Sequence, residues 1–178
     1  MGEIIRGNSC QLVIYHITKG QIPTMTPSHE KFMAIALKEA EKAGQIGEVP
    51  IGAILVSDGG DILSAAHNQT IELADPTAHA EALALRHAAH KINNYRLLNT
   101  TLYVTVEPCI MCMGAIVHAR VAGVVFGASD PKWGAAGSLY DFSEDSRLNH
   151  RVTITKGICE RECRGLMQNF FRAKRVSK

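Results

Sequence analysis

Residues 101–127 read TLYVTVEPCIMCMGAIVHARVAGVVFG, and this stretch decides the fold. Its first six residues are mostly β-branched or aromatic, which is typical of a buried strand. Pro108 then begins a helix, since proline is well suited to the first helical position. A second apolar strand follows over residues 123–127. A strand, a helix of about a dozen residues and another strand form the pattern of a right-handed parallel crossover, so the sequence predicts parallel strands here.

The other predicted elements place this crossover in a layered α/β domain. An apolar run, a turn with two glycines and a short second strand predict a β-hairpin upstream of it. We therefore expect a mixed five-stranded sheet, antiparallel at the hairpin and parallel later, between helices in a three-layer α/β/α fold. In chain order, the elements outside the crossover are a helix capped by Ser28 and ended by Gly44, strands over 50–56 and from Ile62, a helix over 78–91, a strand over 151–155 and a helix over 159–175.

Composition and charge are those of one globular domain with an uneven charge distribution. The chain has 178 residues, of which 46% are hydrophobic and 20% charged, enough for one sizeable core. The net charge is +2, but nine Lys or Arg residues and only two acidic residues lie between Arg147 and the C-terminus. This asymmetry favours a polyanionic partner, although a solvated helix face is an equally good interpretation of the charge alone.

The sequence also predicts the compartment. No apolar run approaches the length of a membrane span, and the first 24 residues lack the basic-then-apolar order of a signal peptide. We therefore expect a cytoplasmic protein without a membrane partner. The five cysteines are odd in number, and Cys109 and Cys112 form a C-x-x-C pair, which favours metal binding over disulfides in a reducing compartment.

Two short motifs carry the chemistry: His79-Ala80-Glu81 and Pro108-Cys109-Ile110-Met111-Cys112. One histidine and two cysteines supply three zinc ligands, and the open fourth position is typical of a catalytic rather than a structural zinc site. Glu81 is placed to transfer protons beside the metal without binding it. Helices that follow neighbouring strands present their N-termini at one sheet edge, so we expect the two motifs to meet there.

Each motif has a simpler interpretation when taken alone. A C-x-x-C pair also occurs in redox pairs and structural zinc sites, and an isolated H-x-E has little specificity. Together, in this order and with Pro108 directly before the first cysteine, they match the zinc deaminase signature. Cys159 and Cys163 lie four residues apart with no histidine to complete a set, so they are interpreted as small buried hydrophobic residues.

Further segments show that the chain resembles bacterial tRNA-specific adenosine deaminases from about Met25 to Arg175. The resemblance implies a cytidine-deaminase-like fold in which residues 25–178 form a single deaminase domain. Residues 1–24 lie outside it and are predicted to be a poorly ordered N-terminal extension. The matching segments beyond the two motifs are 47–53, Asn68, 75–78, 101–107, 134–138, 149–150 and 170–172.

The resemblance implies hydrolysis of adenosine to inosine at the wobble position of a tRNA anticodon, with tRNA-Arg as the expected substrate. It implies a homodimer with one Zn²⁺ per subunit, held by His79, Cys109 and Cys112, and no organic cofactor. Glu81 would carry protons to N1 and to the departing ammonia. The residues expected to bind the base are Asn68, the backbone N–H of Ala80, Val49, Pro50 and Val106.

The RNA contacts implied by the resemblance lie in a loop and at the basic C-terminus. Asp130 is expected to accept a hydrogen bond from a ribose 2′-OH, and its loop also carries Lys132. Trp133 departs from the family pattern, in which a smaller residue is expected, and its ring can stack on a base. The residues expected to contact the anticodon stem-loop from the C-terminus are Phe171, Arg172, Lys174 and Arg175.

Two other functions share parts of this pattern. A free-base or nucleoside deaminase acting on guanine or cytosine has the same zinc core, but the basic C-terminus and Phe170-Phe171-Arg172 argue against it. A zinc-dependent RNA-binding protein without activity is a second alternative, and the presence of Glu81 argues against that one.

Overall fold

The structure is a computed structural model that describes residues 29–176. None of the helices in this range is long and apolar enough to cross a membrane. The predicted Ser28 cap and the predicted extension over residues 1–24 lie outside the described residues. The elements are α1 His29–Gln45, β1 Gly52–Ser57, β2 Ile62–His67, α2 Ala80–Ile92, β3 Thr100–Val106, α3 Ile110–His118, β4 Gly123–Ala128, β5 Thr153–Lys156 and α4 Glu160–Val176.

The strands form one five-stranded sheet in the order β2-β1-β3-β4-β5. β1 pairs antiparallel with both β2 and β3, whereas β3 with β4 and β4 with β5 are parallel pairs. The predicted mixed sheet, antiparallel at the hairpin and parallel in the crossover, is therefore confirmed.

Alternation along the central strands divides the apolar residues between two cores. Leu55, Leu102 and Phe126 pack with residues of α2 and α3, such as Leu83 and Met113, on one face of the sheet. Their chain neighbours point the other way, because successive side chains of a strand face opposite sides. Ile54, Tyr103 and Val125 accordingly pack with Phe32 and Met33 of α1 and Cys163 of α4 on the second face. The three-layer α/β/α prediction is confirmed.

Helix α1 lies very close to the sheet at Gly52. A Cβ atom at this position would lie 2.1 Å from the carbonyl oxygen of Ala36 and 2.4 Å from the backbone nitrogen of Ala40. Only glycine allows this approach. The prediction that Gly44 ends α1 is wrong, since the helix continues to Gln45 and the chain turns at Gly47, where φ is 82°.

The two helices that carry the motifs do begin at one edge of the sheet, but not for the predicted reason. They follow β2 and β3, which are not neighbours, because β1 lies between them. Since both strands are antiparallel to β1, they run in the same direction. α2 and α3 therefore start at the same edge, and their first residues meet across the start of β1.

Candidate active site

His79 and Cys109 occupy equivalent positions at the starts of two helices. His79 is the N-cap of α2 with φ −73° and ψ 151°, and Cys109 is the N-cap of α3 with φ −75° and ψ 175°. Neither side chain makes a capping hydrogen bond. The sequence predicts both residues within the helices, but extended backbone at each position turns the side chain out of its own helix. The imidazole of His79 and the thiol of Cys109 are thus available to bind the same metal ion.

The three predicted metal ligands come together. The Nδ1 atom of His79 lies 3.6 Å from Sγ of Cys112 and 3.8 Å from Sγ of Cys109. All three candidate ligand atoms lie within 4.8 Å of one another. In a tetrahedral zinc site, nitrogen and sulfur ligands are separated by about 3.6 Å, as bond lengths near 2.0 and 2.3 Å require. The spacing and the mixed nitrogen and sulfur donor set therefore fit zinc.

The side chains of Cys109 and Cys112 are hydrogen-bonded to each other. The hydrogen bond with the Cys112 thiol lowers the pKa of Cys109 to about 4, against the opposing effect of burial, and the His79 ring acts in the same direction. The pKa of Cys112 is raised by the same hydrogen bond and by burial. One thiolate thus forms readily in this pair, and thiolates are the form of cysteine that binds metals.

Glu81 is a buried carboxyl beside the ligands. It lies in the first turn of α2, only 3% exposed, and burial raises its pKa to about 6. Its Oε2 atom is fully buried and makes no hydrogen bond to any of the residues 29–176. Burying an unpaired carboxyl oxygen costs about 1–3 kcal/mol, so such an atom indicates a place for a ligand. A carboxyl in this environment can exchange a proton with a water molecule or a substrate atom that lies beside the cluster.

The side chain of Asn68, rather than that of the N-cap residue His79, caps the start of α2. Asn68 directly follows β2, is buried, and its Oδ1 accepts the backbone N–H of Ala80 at 2.9 Å. The Ala80 N–H, a predicted donor to the base, is therefore bonded to Asn68 here, since the first amides of a helix need an acceptor. Nδ2 of Asn68 makes no hydrogen bond within the described part of the chain and is a donor that a base can use.

Buried Glu107 holds the loop after β4 in place. Its two carboxylate oxygens accept the backbone N–H groups of Asp130, Ala136 and Ser138, each at 3.0 Å, and the Ser138 hydroxyl. A Cβ atom at Gly134 would lie 2.5 Å from Cδ of Glu107, so the loop lies directly against this carboxylate. The sequence does not predict this role. The available signal is an acidic residue that directly follows an apolar strand and directly precedes Pro108.

Glu48 anchors a second loop, the one that precedes α2. This buried residue accepts the backbone N–H of Ile71 at 2.7 Å and that of Glu72 at 2.9 Å on one oxygen. Its second oxygen accepts the hydroxyl of Thr70 at 3.1 Å. The loop between Asn68 and α2 is thereby tied to the end of α1. This role was not predicted from the sequence either.

The residues predicted to form the walls of the base pocket lie at this edge of the sheet, before the start of β1 and at the end of β3. Pro50 and Val106 are buried, and Val49 is half-buried. Val49 lines an open cleft of about 980 Å³ rather than the core.

Most of the predicted RNA contacts line that same cleft, which we call the cationic cleft. They are Lys132, Phe171, Arg172, Lys174 and Arg175, together with Val49 and the exposed Ile71. No acidic side chain lines it among residues 29–176. The predicted contact Asp130 does not line it, and its Oδ1 accepts the backbone N–H groups of Lys132 and Trp133 at 2.9 and 3.3 Å. Asp130 therefore shapes the loop that presents Lys132.

Comparison with known proteins agrees with this geometry. A family model described as the cytidine and deoxycytidylate deaminase zinc-binding region matches residues 26–128. The fold and the site thus define a zinc-binding deaminase. The chain is 50% identical over 149 residues to the tRNA-specific adenosine deaminase of Haemophilus influenzae, a match that covers 84% of this chain and 86% of that protein.

Two further similar proteins point to one group within the zinc-binding deaminases. The tRNA-specific adenosine deaminase of Bacillus subtilis is 46% identical over 149 residues, which cover 84% of this chain and 92% of that protein. A solved structure from a study of A-to-I editing by tRNA:A34 deaminases at the wobble position of transfer RNA has a TM-score of 0.74 at 43% identity. The match covers 76% of this chain and 98% of that one. The chain belongs to the tRNA-specific adenosine deaminases within the deaminase family.

Proposed function

We propose that this protein hydrolyses adenosine to inosine at the wobble position of a tRNA anticodon, with tRNA-Arg as a substrate. The observation that carries the proposal is the unpaired, buried Oε2 of Glu81 beside the His79, Cys109 and Cys112 cluster. This arrangement occurs in a chain that is 50% identical to a tRNA-specific adenosine deaminase. The reaction forms a C6–O bond, breaks the C6–N6 bond and releases ammonia.

Glu81 is the proposed proton carrier. Bound to His79, Cys109 and Cys112, zinc would supply Lewis-acid activation of a water nucleophile near neutral pH. Glu81 accepts one proton from the attacking water and donates it to N1 of the adenine. It then takes the second proton from the new C6 hydroxyl and transfers it to the departing amine, which leaves as ammonia. Burial raises the pKa of Glu81 towards neutral pH, and a carboxyl that titrates near the working pH gives and takes protons readily.

The base is held by residues that surround the cluster. Asn68 donates from Nδ2, and its Oδ1 keeps the first turn of α2, and with it Glu81, in position. Val49, Pro50 and Val106 form the apolar walls. The Ala80 N–H becomes a second donor to the base only if Asn68 releases it.

The anticodon loop occupies the cationic cleft. Lys132, Arg172, Lys174 and Arg175 neutralise phosphates, and Phe171 packs on a flanking nucleotide. Asp130 accepts from a ribose 2′-OH through Oδ2, the oxygen that makes no hydrogen bond within residues 29–176. The basic C-terminus, for which a solvated helix face was an alternative, thus has a polyanionic ligand.

We further propose a homodimer with one zinc ion per subunit. A groove of about 320 Å³ runs between α2 and α3, and its walls are mainly apolar. The exposed Met111 lines it, and its neighbour Ile110 is exposed as well. A self-complementary contact of this face with a second copy would cover these side chains. Analytical ultracentrifugation tests the idea, and a native monomer at micromolar concentration would contradict it.

A cytoplasmic location follows from the substrate. The cysteines within residues 29–176, which are Cys109, Cys112, Cys159 and Cys163, form no disulfide with one another. Reduced thiols are typical of the compartment in which tRNA is found.

The function is tested by incubating the zinc-loaded protein with an anticodon stem-loop of tRNA-Arg that has adenosine at the wobble position. Mass spectrometry of the digested RNA should show inosine at that position and nowhere else. The same stem-loop with its adenosine moved into the stem is the matched control and should stay unmodified. Parallel incubations with guanine and cytosine test the free-base alternative. Ammonia from either base, without inosine in the stem-loop, would overturn the proposal.

A further inference from the structure

Trp133 is an exposed aromatic residue that contributes little to the fold. Its side chain is 65% exposed and forms no ring pair with another aromatic residue in the range 29–176. Within the same range the indole N–H donates no hydrogen bond. A tryptophan stabilises a fold through the apolar area that it buries, and most of that area remains in solvent here. The ring is therefore available to a ligand.

In the chain, Trp133 lies between a residue of the cationic cleft and a residue that contacts the metal cluster. On its C-terminal side, Gly134 forms a β-bridge with the candidate ligand Cys109, and Ala135 donates its N–H to the carbonyl of Pro108 at 2.9 Å. On its N-terminal side, Lys132 lines the cationic cleft. Trp133 thus lies one residue from a cleft-lining lysine and one residue from a backbone contact with the metal cluster.

The backbone on both sides of the ring is already fixed. The N–H of Trp133 donates to Oδ1 of Asp130, and the N–H of Gly134 donates to the carbonyl of Asp130 at 2.9 Å. Glu107 anchors both ends of the loop, at Asp130 and at Ser138. An aromatic group on a preordered loop loses little conformational entropy when it binds, which increases its contribution to affinity.

We infer that Trp133 stacks on the base of a nucleotide that flanks the target adenosine, and so determines which RNA conformations are accepted. In a single-stranded loop the bases are unstacked and expose faces that aromatic side chains bind. The adjacent Lys132 supplies positive charge for the phosphate of the same nucleotide. Stacking accepts any base, so this contact selects splayed loop nucleotides over paired ones. The inference rests on the proposed function, because it assigns one contact of the same RNA substrate.

The chain contains a single tryptophan, so its fluorescence reports on this contact alone. The zinc-loaded E81Q variant, which should bind without turnover, is titrated with the tRNA-Arg stem-loop. We expect the fluorescence to be quenched on binding. In the active protein, W133A should raise KM about 10-fold or more with little change in kcat, because stacking is lost while the reacting groups stay in place. W133F, which keeps an aromatic ring, should recover most of the affinity.

Stem-loops with a single abasic position identify the stacked nucleotide. At one position the abasic change should weaken binding by the native protein but not by W133A, since both changes remove the same contact. Y95A is the matched control, because Tyr95 is also an exposed aromatic residue but precedes β3 at the opposite edge of the sheet. Its KM should equal that of the native protein.

Unchanged fluorescence at saturating RNA, together with native KM for W133A, would overturn the stacking assignment. In that case inosine would still form, so the proposed function would stand. Absence of inosine from the native protein would instead count against the proposed function. The fluorescence titration decides the stacking contact in either case, because it measures binding and not turnover.

Discussion

Oδ1 of Asn68 accepts the backbone N–H of Ala80 at 2.9 Å, so the residue expected to bind the base also caps the helix that carries Glu81. The loop that follows β2 is thereby hydrogen-bonded to the first turn of α2. We therefore expect a change at Asn68 to affect two properties at once, the proposed binding of the base and the position of Glu81, the proposed proton carrier.

Two substitutions at Asn68 separate these properties. N68D keeps the acceptor for Ala80 but loses the Nδ2 donor, so we expect native thermal stability and a KM raised by roughly 10-fold or more. N68A also removes the cap and should lower the free energy of unfolding by about 1 kcal/mol. Thermal denaturation and steady-state kinetics on the same preparations distinguish the two. Equal kinetics for N68D and the native protein would argue against a contact between Nδ2 and the base.

Replacement of Glu81 by Gln should abolish turnover while the metal remains bound. Glutamine fills the same volume but cannot carry a proton, and general acid–base catalysis contributes about 100-fold or more to rate. Zinc content, measured by inductively coupled plasma mass spectrometry, should match that of the native protein, because Glu81 is not among the three ligands. Retained activity would remove Glu81 from the mechanism.

Glu107 should be a positioning residue whose replacement loosens the loop over residues 130–138. In E107Q the side-chain NH₂ group faces donors that now lack an acceptor, which should cost about 2–3 kcal/mol of stability. Hydrogen exchange of the Asp130, Ala136 and Ser138 amides should accelerate. E144Q is the matched control, since Glu144 is exposed and its change should alter stability by less than about 0.5 kcal/mol. Native exchange rates in E107Q would contradict the anchoring role.

Two glycine substitutions should have opposite effects on stability, because Gly52 lies against the backbone of α1 and Gly165 lies in open space on α4. G52A places a methyl group against the backbone of Ala36 and should destabilise the fold by about 3 kcal/mol, since overpacking displaces the helix. G165A adds a methyl group with no atom within 4 Å in the middle of α4, and should stabilise it by about 0.5–1 kcal/mol. Urea denaturation measures both. Similar stabilities for the two variants would show that α1 can move away from β1.

The elements of the fold were predictable from local pattern, and their bounds in the structure agree to within two residues. The group of candidate metal ligands was predictable too, because His79, Cys109 and Cys112 carry metal-binding atoms in their own side chains. The strand order was not. The hairpin β1–β2 looks the same in the sequence whether β3 pairs with β1 or with β2, and only the packed sheet shows that β1 lies between them.

The anchoring roles of Glu48 and Glu107 were not predictable for a different reason. Their partners are mostly backbone N–H groups that lie 22 to 31 residues further along the chain. Every residue other than proline has such a group, so no residue type marks the partner. A buried acid beside an apolar strand indicates that an acceptor is needed, but not where its donors lie. The same limit applies to Asn68, whose cap is visible only when β2 and α2 are placed together.

The loop before α2 and the loop after β4 are anchored by different carboxylates, so each can vary separately. The segment after Asn68 depends on Glu48, and the segment that carries Trp133 depends on Glu107, with no carboxylate of residues 29–176 common to both. Sequence changes in one loop can therefore accumulate, in evolution or in a laboratory library, without disturbing the other. New substrate preferences can be selected one loop at a time where the contacts of Gly134 with Cys109 and of Asn68 with Ala80 are kept.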